Sequence, residues 1–304
     1  MPELPEVETV RLGLNQLTLK QEITGGDVLL DRTIAYPLSV GEFLGGLKGK
    51  AIASWHRRGK YLLAQLRTVE QTDLQQTKSF SPPASLCFPA SPAGWLGVHL
   101  RMTGQLLWLH RDQPLHKHTR VRLFFEDREL RFVDQRTFGQ LWWVPPNQTI
   151  ESVITGLGRL GLDPMNSDFT DEYLRLKLQN RRSPIKNALL NQSVVAGIGN
   201  IYADEALFKS GVRPETLCID LQPTQISRLR TAIIEVLEAS IAAGGTTFSN
   251  FLNVQGVNGN YGGVAWVYNR AGKACRVCET PIQRLRLAGR STHFCPQCQT
   301  RGEK

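Results

Sequence analysis

Pro2, Glu3 and Glu6 stand at the head of the chain in Met1-Pro2-Glu3-Leu4-Pro5-Glu6, a nucleophile with two acids behind it. Once the initiator methionine is trimmed, Pro2 carries a free secondary amine. An α-amine titrates near ~8, so an appreciable fraction is neutral and nucleophilic at neutral pH. Its attack on a carbonyl-like carbon gives an iminium ion, which is an electron sink, and Glu3 or Glu6 can donate or shuttle protons. With Met1 retained, Pro2 is a tertiary amide without a nucleophilic lone pair. The same six residues also read as a rigid helix start, with Pro5 suited to the first turn and Glu6 to the positive end of the helix dipole.

A terminal nucleophile must be held still, and the following residues supply the means. Val7, Val10, Leu14 and Leu17 recur at helical spacing, which predicts a helix that carries Leu4 and Val7 into the core.

The second chemical pattern is Cys275-x-x-Cys278 and, sixteen residues on, Cys295-x-x-Cys298. Two such knuckles present four thiolates, the tetrahedral sulfur shell that zinc prefers, with no position left for a substrate. One structural zinc ion is therefore expected. Cys87 and Cys218 lie outside the pattern and read as small apolar residues. Arg284, Arg286 and Arg290 decorate a predicted β-hairpin between the knuckles, suited to a groove of nucleic acid or, alternatively, to a solvated ribbon used for protein contacts.

Three weaker patterns accompany these. Gly197 and Gly199 precede a predicted helix with Asn200 as its cap, a place where backbone amides bind phosphate; Arg181, Arg182 and Lys186 lie just upstream. Arg136 and Phe138 share a predicted loop, and Met102 follows a predicted strand. Alone each would more often be core, but wedges beside an arginine also unstack DNA and fill the place of an extruded base. Lys60 reads as a phosphate contact, a proton donor or a solvated strand end.

The elements that must position these residues divide the chain. Short β-rich segments at 51–55, 61–66, 95–100, 120–125 and 130–133 predict a sandwich or barrel. A Gln-, Ser-, Thr- and Pro-rich stretch from Arg67 to Gly94 predicts a long loop. After Pro145-Pro146 the chain turns helical, with starts at Thr170, Ser183-Pro184, Asn200 and Thr224 and glycine stops at Gly211 and Gly244-Gly245. The expected division is 1–150, 151–265 and 266–304.

With 36 Lys and Arg against 27 Asp and Glu the chain carries +9. From Arg270 to Lys304 eight basic residues face Glu279 and Glu303, so the excess gathers in the tail and a polyanion is the natural partner. No apolar run reaches membrane-spanning length and the N-terminus lacks the basic start of a signal peptide. A cytoplasmic monomer, associated with the nucleoid through DNA and not with a membrane, is expected.

In order, Met1-Pro2-Glu3-Leu4-Pro5-Glu6-Val7-Glu8-Thr9, Arg57-Arg58-Gly59-Lys60-Tyr61-Leu62, His99-Leu100-Arg101-Met102-Thr103-Gly104, Gly197-Ile198-Gly199-Asn200-Ile201-Tyr202 and the four-cysteine motif closely resemble the formamidopyrimidine-DNA glycosylase family over nearly the whole chain. The resemblance implies an α+β multi-domain fold: an N-terminal β-sandwich with flanking helices, a helix-two-turn-helix domain and a zinc-finger β-hairpin, with double-stranded DNA carrying damaged bases in the cleft.

It further implies that Pro2 attacks C1′ of the damaged nucleotide, that Glu3 donates the proton for base release and sugar opening, and that Glu6 supports the same centre. By resemblance Lys60 serves β-elimination and Arg290 δ-elimination. Met102, Arg136 and Phe138 would fill the void, and His118, Arg136, Arg181 and Asn200 would contact DNA. Oxidised purines such as 8-oxoguanine and formamidopyrimidines are the expected lesions, favoured by Leu4 and the 136–139 loop. The alternatives are an endonuclease VIII-type enzyme for oxidised pyrimidines and a non-catalytic zinc-ribbon DNA-binding protein. The chain departs from the family in its long 67–94 segment, in Asn269 where glycine is commoner, and in the tip of the lid-like segment 246–265.

Overall fold

The computed structural model describes residues 1–69, 92–246 and 252–300. Most of the predicted 67–94 loop, Cys87, lid positions 247–251, and Arg301, Glu303 and Lys304 lie outside the described residues.

Helix α1 (Leu4–Leu17) buries Leu4, Val7, Val10 and Leu14, as the periodicity predicts. Its buried face serves two cores. Val7, Val10 and Leu14 join the core of the sandwich, whereas Leu4 joins that of the helical domain. The head of the chain is thus fixed in the seam between the two, because leaving it would expose apolar surface of both cores to water.

The sandwich packs a six-stranded sheet on a four-stranded one. The first runs in the order β1 (Glu22–Ile23), β4 (Lys50–Arg58), β5 (Tyr61–Thr68), β6 (Pro92–His99), β10 (Gln140–Val144) and β3 (Ile34–Tyr36); the second runs β2 (Gly25–Val28), β8 (Thr119–Phe124), β9 (Arg128–Asp134) and β7 (Gly104–His110). Trp55, Leu62, Leu106, Phe125 and Phe132, with Phe43 from α2 (Val40–Leu47), fill the space between them. All five predicted segments are strands. Arg58 pairs with Tyr61 across a two-residue turn, so Gly59, with φ 56°, and Lys60 form the tip of the β4–β5 hairpin.

The helical half holds α3 (Ile150–Val153), α4 (Asp171–Leu178), α5 (Ile185–Leu190), α6 (Asn200–Lys209) and α7 (Pro223–Ala242). Just after α3, Ile154 and Leu157 pack onto the sandwich beside Tyr61 and Trp142. Thr170 caps α4 through its hydroxyl, as predicted. Two caps differ from prediction: Pro184, not Ser183, precedes α5, and Gly199, not Asn200, precedes α6. Gly211, Gly244 and Gly245 take the left-handed conformation that ends helices.

Strands β11 (Gln283–Leu287) and β12 (Arg290–Phe294) form the predicted hairpin between the cysteine pairs, turning at Ala288-Gly289 with both φ positive. Asn269, at φ 58°, takes the left-handed geometry that asparagine tolerates. Among the described residues no helix is long and apolar enough to cross a membrane.

Candidate active site

Glu3 is buried and its carboxylate closes the N-terminus of α6. Its oxygens accept the N–H groups of Gly199 at 2.8 Å, Ile201 at 3.1 Å and Tyr202 at 3.4 Å. These are the amides predicted to take a phosphate, so that prediction is corrected: the anion at this helix end belongs to the protein. The glycines admit it. A Cβ on Gly199 would lie 2.3 Å from the Glu3 carboxyl carbon, and one on Gly197, whose φ is +90°, would lie 2.7 Å from Leu4. The Leu4 N–H donates to the Gly197 carbonyl at 3.0 Å. Burial raises the Glu3 pKa against the opposing pull of Lys60, with Glu6 adding to the rise and the amides resisting it. A carboxyl so placed holds its proton to higher pH than one in water.

Glu6 lies one turn further along α1, also buried. One oxygen accepts the Glu3 N–H at 2.8 Å; the other accepts the Tyr202 hydroxyl at 2.6 Å and the Thr246 N–H at 2.8 Å. Tyr202 also bonds Ser240 at 2.5 Å. Glu6 therefore ties the N-terminal segment to α6 and to the start of the segment after α7. Tyr202 carried no individual role in the sequence reading; its place one turn into α6, opposite Glu6, is a tertiary fact that spacing does not reveal.

Two cavities meet at the first two residues. Pro2 lines one of about 740 Å³ with Met102, His118, Gln135, Leu252 and Asn258. Met1 lines the other, of about 420 Å³, with Lys60, His99, Arg101, Gln192 and Arg290. Burial lowers the pKa of the Met1 amine, although Glu3 and Glu6 pull it up.

Lys60 is only 7% exposed, which removes the solvated strand end as its reading. Burial lowers its pKa, opposed by Glu3 and Glu6 and assisted by Arg290. Its hairpin tip is clamped from behind. Arg57 donates to Glu8 at 2.7 Å and to both oxygens of Asp163, one of which also accepts the Gly59 N–H at 3.3 Å. His99 is a further cavity residue without a role in the sequence reading. Burial, with Arg101 and Lys60 nearby, pushes its imidazole down to about 3, so it stands neutral, its Nδ1 accepting the Arg101 N–H at 3.0 Å.

Arg136 and Phe138 are exposed on the loop after β9, the guanidinium 5.1 Å from the ring centroid. Asp134 shapes this loop. Its carboxylate accepts the Thr103 hydroxyl at 2.5 Å and the Arg136 and Gly139 N–H groups at 3.2 and 2.7 Å. Thr103 adjoins Met102 and Gly139 adjoins Phe138, so one buried aspartate ties together the two loops that carry the expected void-filling residues. His118 is half-buried, its pKa lowered by desolvation and by Lys117 and Arg120.

Not every predicted contact gathers here. Arg181 lines neither cavity and donates to the Lys177 carbonyl at 2.8 Å behind α4. Lys186 is fully buried and paired with Asp204 at 2.6 Å, so it supplies no surface charge for a phosphate. Asn200 donates to the Ser291 carbonyl at 3.0 Å.

The sulfurs of Cys275, Cys278, Cys295 and Cys298 lie within 4.8 Å of one another. Sulfurs at ~2.3 Å from a tetrahedral zinc sit roughly 3.8 Å apart, so the cluster fits one structural zinc ion. Cys218 is buried among apolar residues, as predicted.

Three family models match the chain: the formamidopyrimidine-DNA glycosylase N-terminal domain over residues 1–141, the H2TH domain of the same glycosylase over 160–251, and a zinc finger found in FPG and IleRS over 272–301. The chain is 72% identical over 301 residues to the formamidopyrimidine-DNA glycosylase of Nostoc punctiforme, covering 99% of this chain and 96% of that one. It is 61% identical to that of Trichodesmium erythraeum, covering 98% of this chain and all of the relative. Among solved structures, the Lactococcus lactis enzyme bound to abasic-site DNA superposes with a TM-score of 0.83 at 31% identity, covering 98% of this chain and 99% of that one. The wild-type enzyme of that organism, bound to DNA containing an oxidised pyrimidine, gives 0.82 at 32% identity over the same shares.

Proposed function

The chain belongs to the formamidopyrimidine-DNA glycosylase family, and from that membership we propose that it excises oxidised purines from duplex DNA through a Schiff base on Pro2 and then cleaves the abasic site. The coarser reading, repair of damaged bases by excision, follows from the family. The observation that carries the finer one is the seating of Glu3 on the α6 amides directly behind Pro2, where burial keeps its carboxyl protonated to higher pH.

In this reading trimming exposes the Pro2 amine. Its nitrogen attacks C1′, the N–C1′ bond forms as the glycosidic bond breaks, and the base leaves with the bonding pair and a proton. Glu3 gives its proton to the departing base, takes up the proton that the Pro2 nitrogen sheds once bonded to C1′, and passes it to O4′ as the sugar opens to the iminium. The iminium acidifies C2′. Loss of that proton expels the 3′-phosphate, and a second elimination expels the 5′-phosphate. Lys60, whose amine burial makes easier to deprotonate, serves the first elimination; Arg290, on the same cavity wall, serves the second. Met102, Arg136 and Phe138 occupy the space of the extruded nucleotide, with His118 and Asn200 as DNA contacts. Arg181, behind α4, contacts the phosphate backbone away from the lesion. Zinc, held by the four cysteines, supplies no chemistry to the reaction and keeps the arginine-bearing hairpin folded.

Oxidised pyrimidines are the second reading, since the Lactococcus lactis relative is solved with DNA containing one. Excision from duplexes carrying 8-oxoguanine opposite cytosine, compared with thymine glycol, tests the proposal. A clear preference for 8-oxoguanine is expected, and a clear preference for thymine glycol overturns the choice.

A further inference from the structure

Arg290 is exposed at the first position of β12, at a hairpin tip, yet its proposed role demands a fixed approach to the cavity it shares with Lys60 and Met1. Zinc is too distant to fix it. Cys295 lies five residues along the strand, on the order of 17 Å from the tip at the rise of an extended chain. The turn at Ala288-Gly289 adds no rigid side chain.

What holds the tip is a buried charge cluster in the helical domain. Lys186 of α5 is completely buried, and its ammonium donates to the Ser291 carbonyl at 2.9 Å and to the Thr292 hydroxyl at 2.9 Å. It pairs with Asp204 of α6, also completely buried, at 2.6 Å. Asp204 in turn accepts the His293 N–H at 2.9 Å, with His293 Nδ1 3.2 Å away. Asn200 donates to the same Ser291 carbonyl. Each of the three residues after Arg290 is therefore bound to α5 or α6, and α6 is the helix whose N-terminus seats Glu3.

We infer that Lys186 and Asp204 are a positioning pair for the second elimination, holding the hairpin tip so that Arg290 reaches the cavity of Lys60 and the terminal residues. A buried ion pair contributes little net stability, because desolvation offsets the attraction, but its directed bonds select one arrangement. Here that arrangement registers the zinc hairpin against α6, the helix whose N-terminus seats the Glu3 carboxylate. Burial lowers the Lys186 pKa against the pull of Asp204, its ion-pair partner, with smaller contributions from Glu3, which raises it, and Arg290, which lowers it.

This inference rests on the proposed role of Arg290, and the test separates the two. Full-length protein carrying Lys186→Met with Asp204→Asn loses both charges together, leaving no buried charge unpaired. Single-turnover reactions on abasic-site DNA then read β-elimination and δ-elimination products separately, with zinc content measured on the same sample. The ratio of δ to β product is expected to fall on the order of tenfold, a scale typical of a reacting group displaced by less than an ångström, with one zinc per chain and the β-elimination rate retained.

Thr292→Val, which removes a single acceptor of the ammonium, shifts the ratio less in the same direction and serves if the double variant does not fold. An unchanged ratio with zinc bound, or β and δ products falling in parallel, overturns the inference. Arg290→Ala is the control: if it lowers the ratio and neither other variant does, only the positioning role fails. If Arg290→Ala leaves the ratio unchanged, the role of Arg290 fails and the inference falls with it.

Discussion

Lys60 and Glu3 show how one buried site separates two proton tasks. Both are desolvated and each opposes the other's shift, yet burial prevails at both, raising the carboxyl and lowering the amine. Each is thereby biased toward its neutral form, an acid able to donate and a base able to accept. The sign fixes a pH dependence. A lysine whose pKa lies below its usual value near ~10.4 gains its free-base form at lower pH, so β-elimination on preformed abasic sites should rise with pH through that lowered pKa. Lys60→Arg keeps the charge but cannot deprotonate. Its rate should be lower by roughly 10²-fold, the scale of a lost general base, and the rising limb should vanish. A retained limb in a pH–rate profile of the variant would assign the titration elsewhere.

At the scale of elements, the decisive contact is between the head of α1 and the start of α6, 196 positions apart in sequence between Glu3 and Gly199. Gly199→Ala tests it. The new Cβ would sit 2.3 Å from the Glu3 carboxyl carbon, so the carboxylate must leave the amides. Base excision should fall by roughly 10²-fold, the scale of a displaced acid, while zinc content stays at one per chain. Wild-type excision by the variant would contradict the placement.

The same contact shows where sequence reading stops. The α1 periodicity, the five strands and the zinc hairpin were legible because each rests on a local period or a spacing of ligand residues. The glycines before α6 were legible as a helix start that binds an anion, but not which anion, because the occupant comes from the far end of the chain. Lys186 misled for a related reason: composition shows its charge, whereas its burial and its Asp204 partner are set by packing. Strands β1, β2 and β3 escaped prediction because they are two to four residues long, too short to show a period; β7 and β10 also escaped it, although β7 alternates buried and half-buried residues over most of its length.

For the whole molecule, α1 is shared between two cores and the zinc hairpin is bound to the helical half, so the parts form one frame around the cleft. Zinc holds one corner of it. Cys295→Ser breaks the four-sulfur shell and should release the metal, weakening binding to lesion-free duplex by on the order of 10-fold or more through loss of hairpin phosphate contacts. Adduct formation at the terminal amine should remain detectable at high enzyme concentration, because Glu3 and Lys60 are held by elements other than the hairpin. Metal analysis beside a binding titration checks this; retained zinc with full affinity would count against the assignment.

The central claim is that the Pro2 nitrogen, and not the neighbouring buried amine of Lys60, forms the covalent intermediate. Borohydride trapping on abasic-site DNA, followed by peptide mapping of the adduct, tests it most directly. Protein with Met1 removed should give an adduct mapped to Pro2, and protein with an N-terminal extension that cannot be trimmed should give none. An adduct on the extended protein, or one mapped to Lys60, would contradict the account.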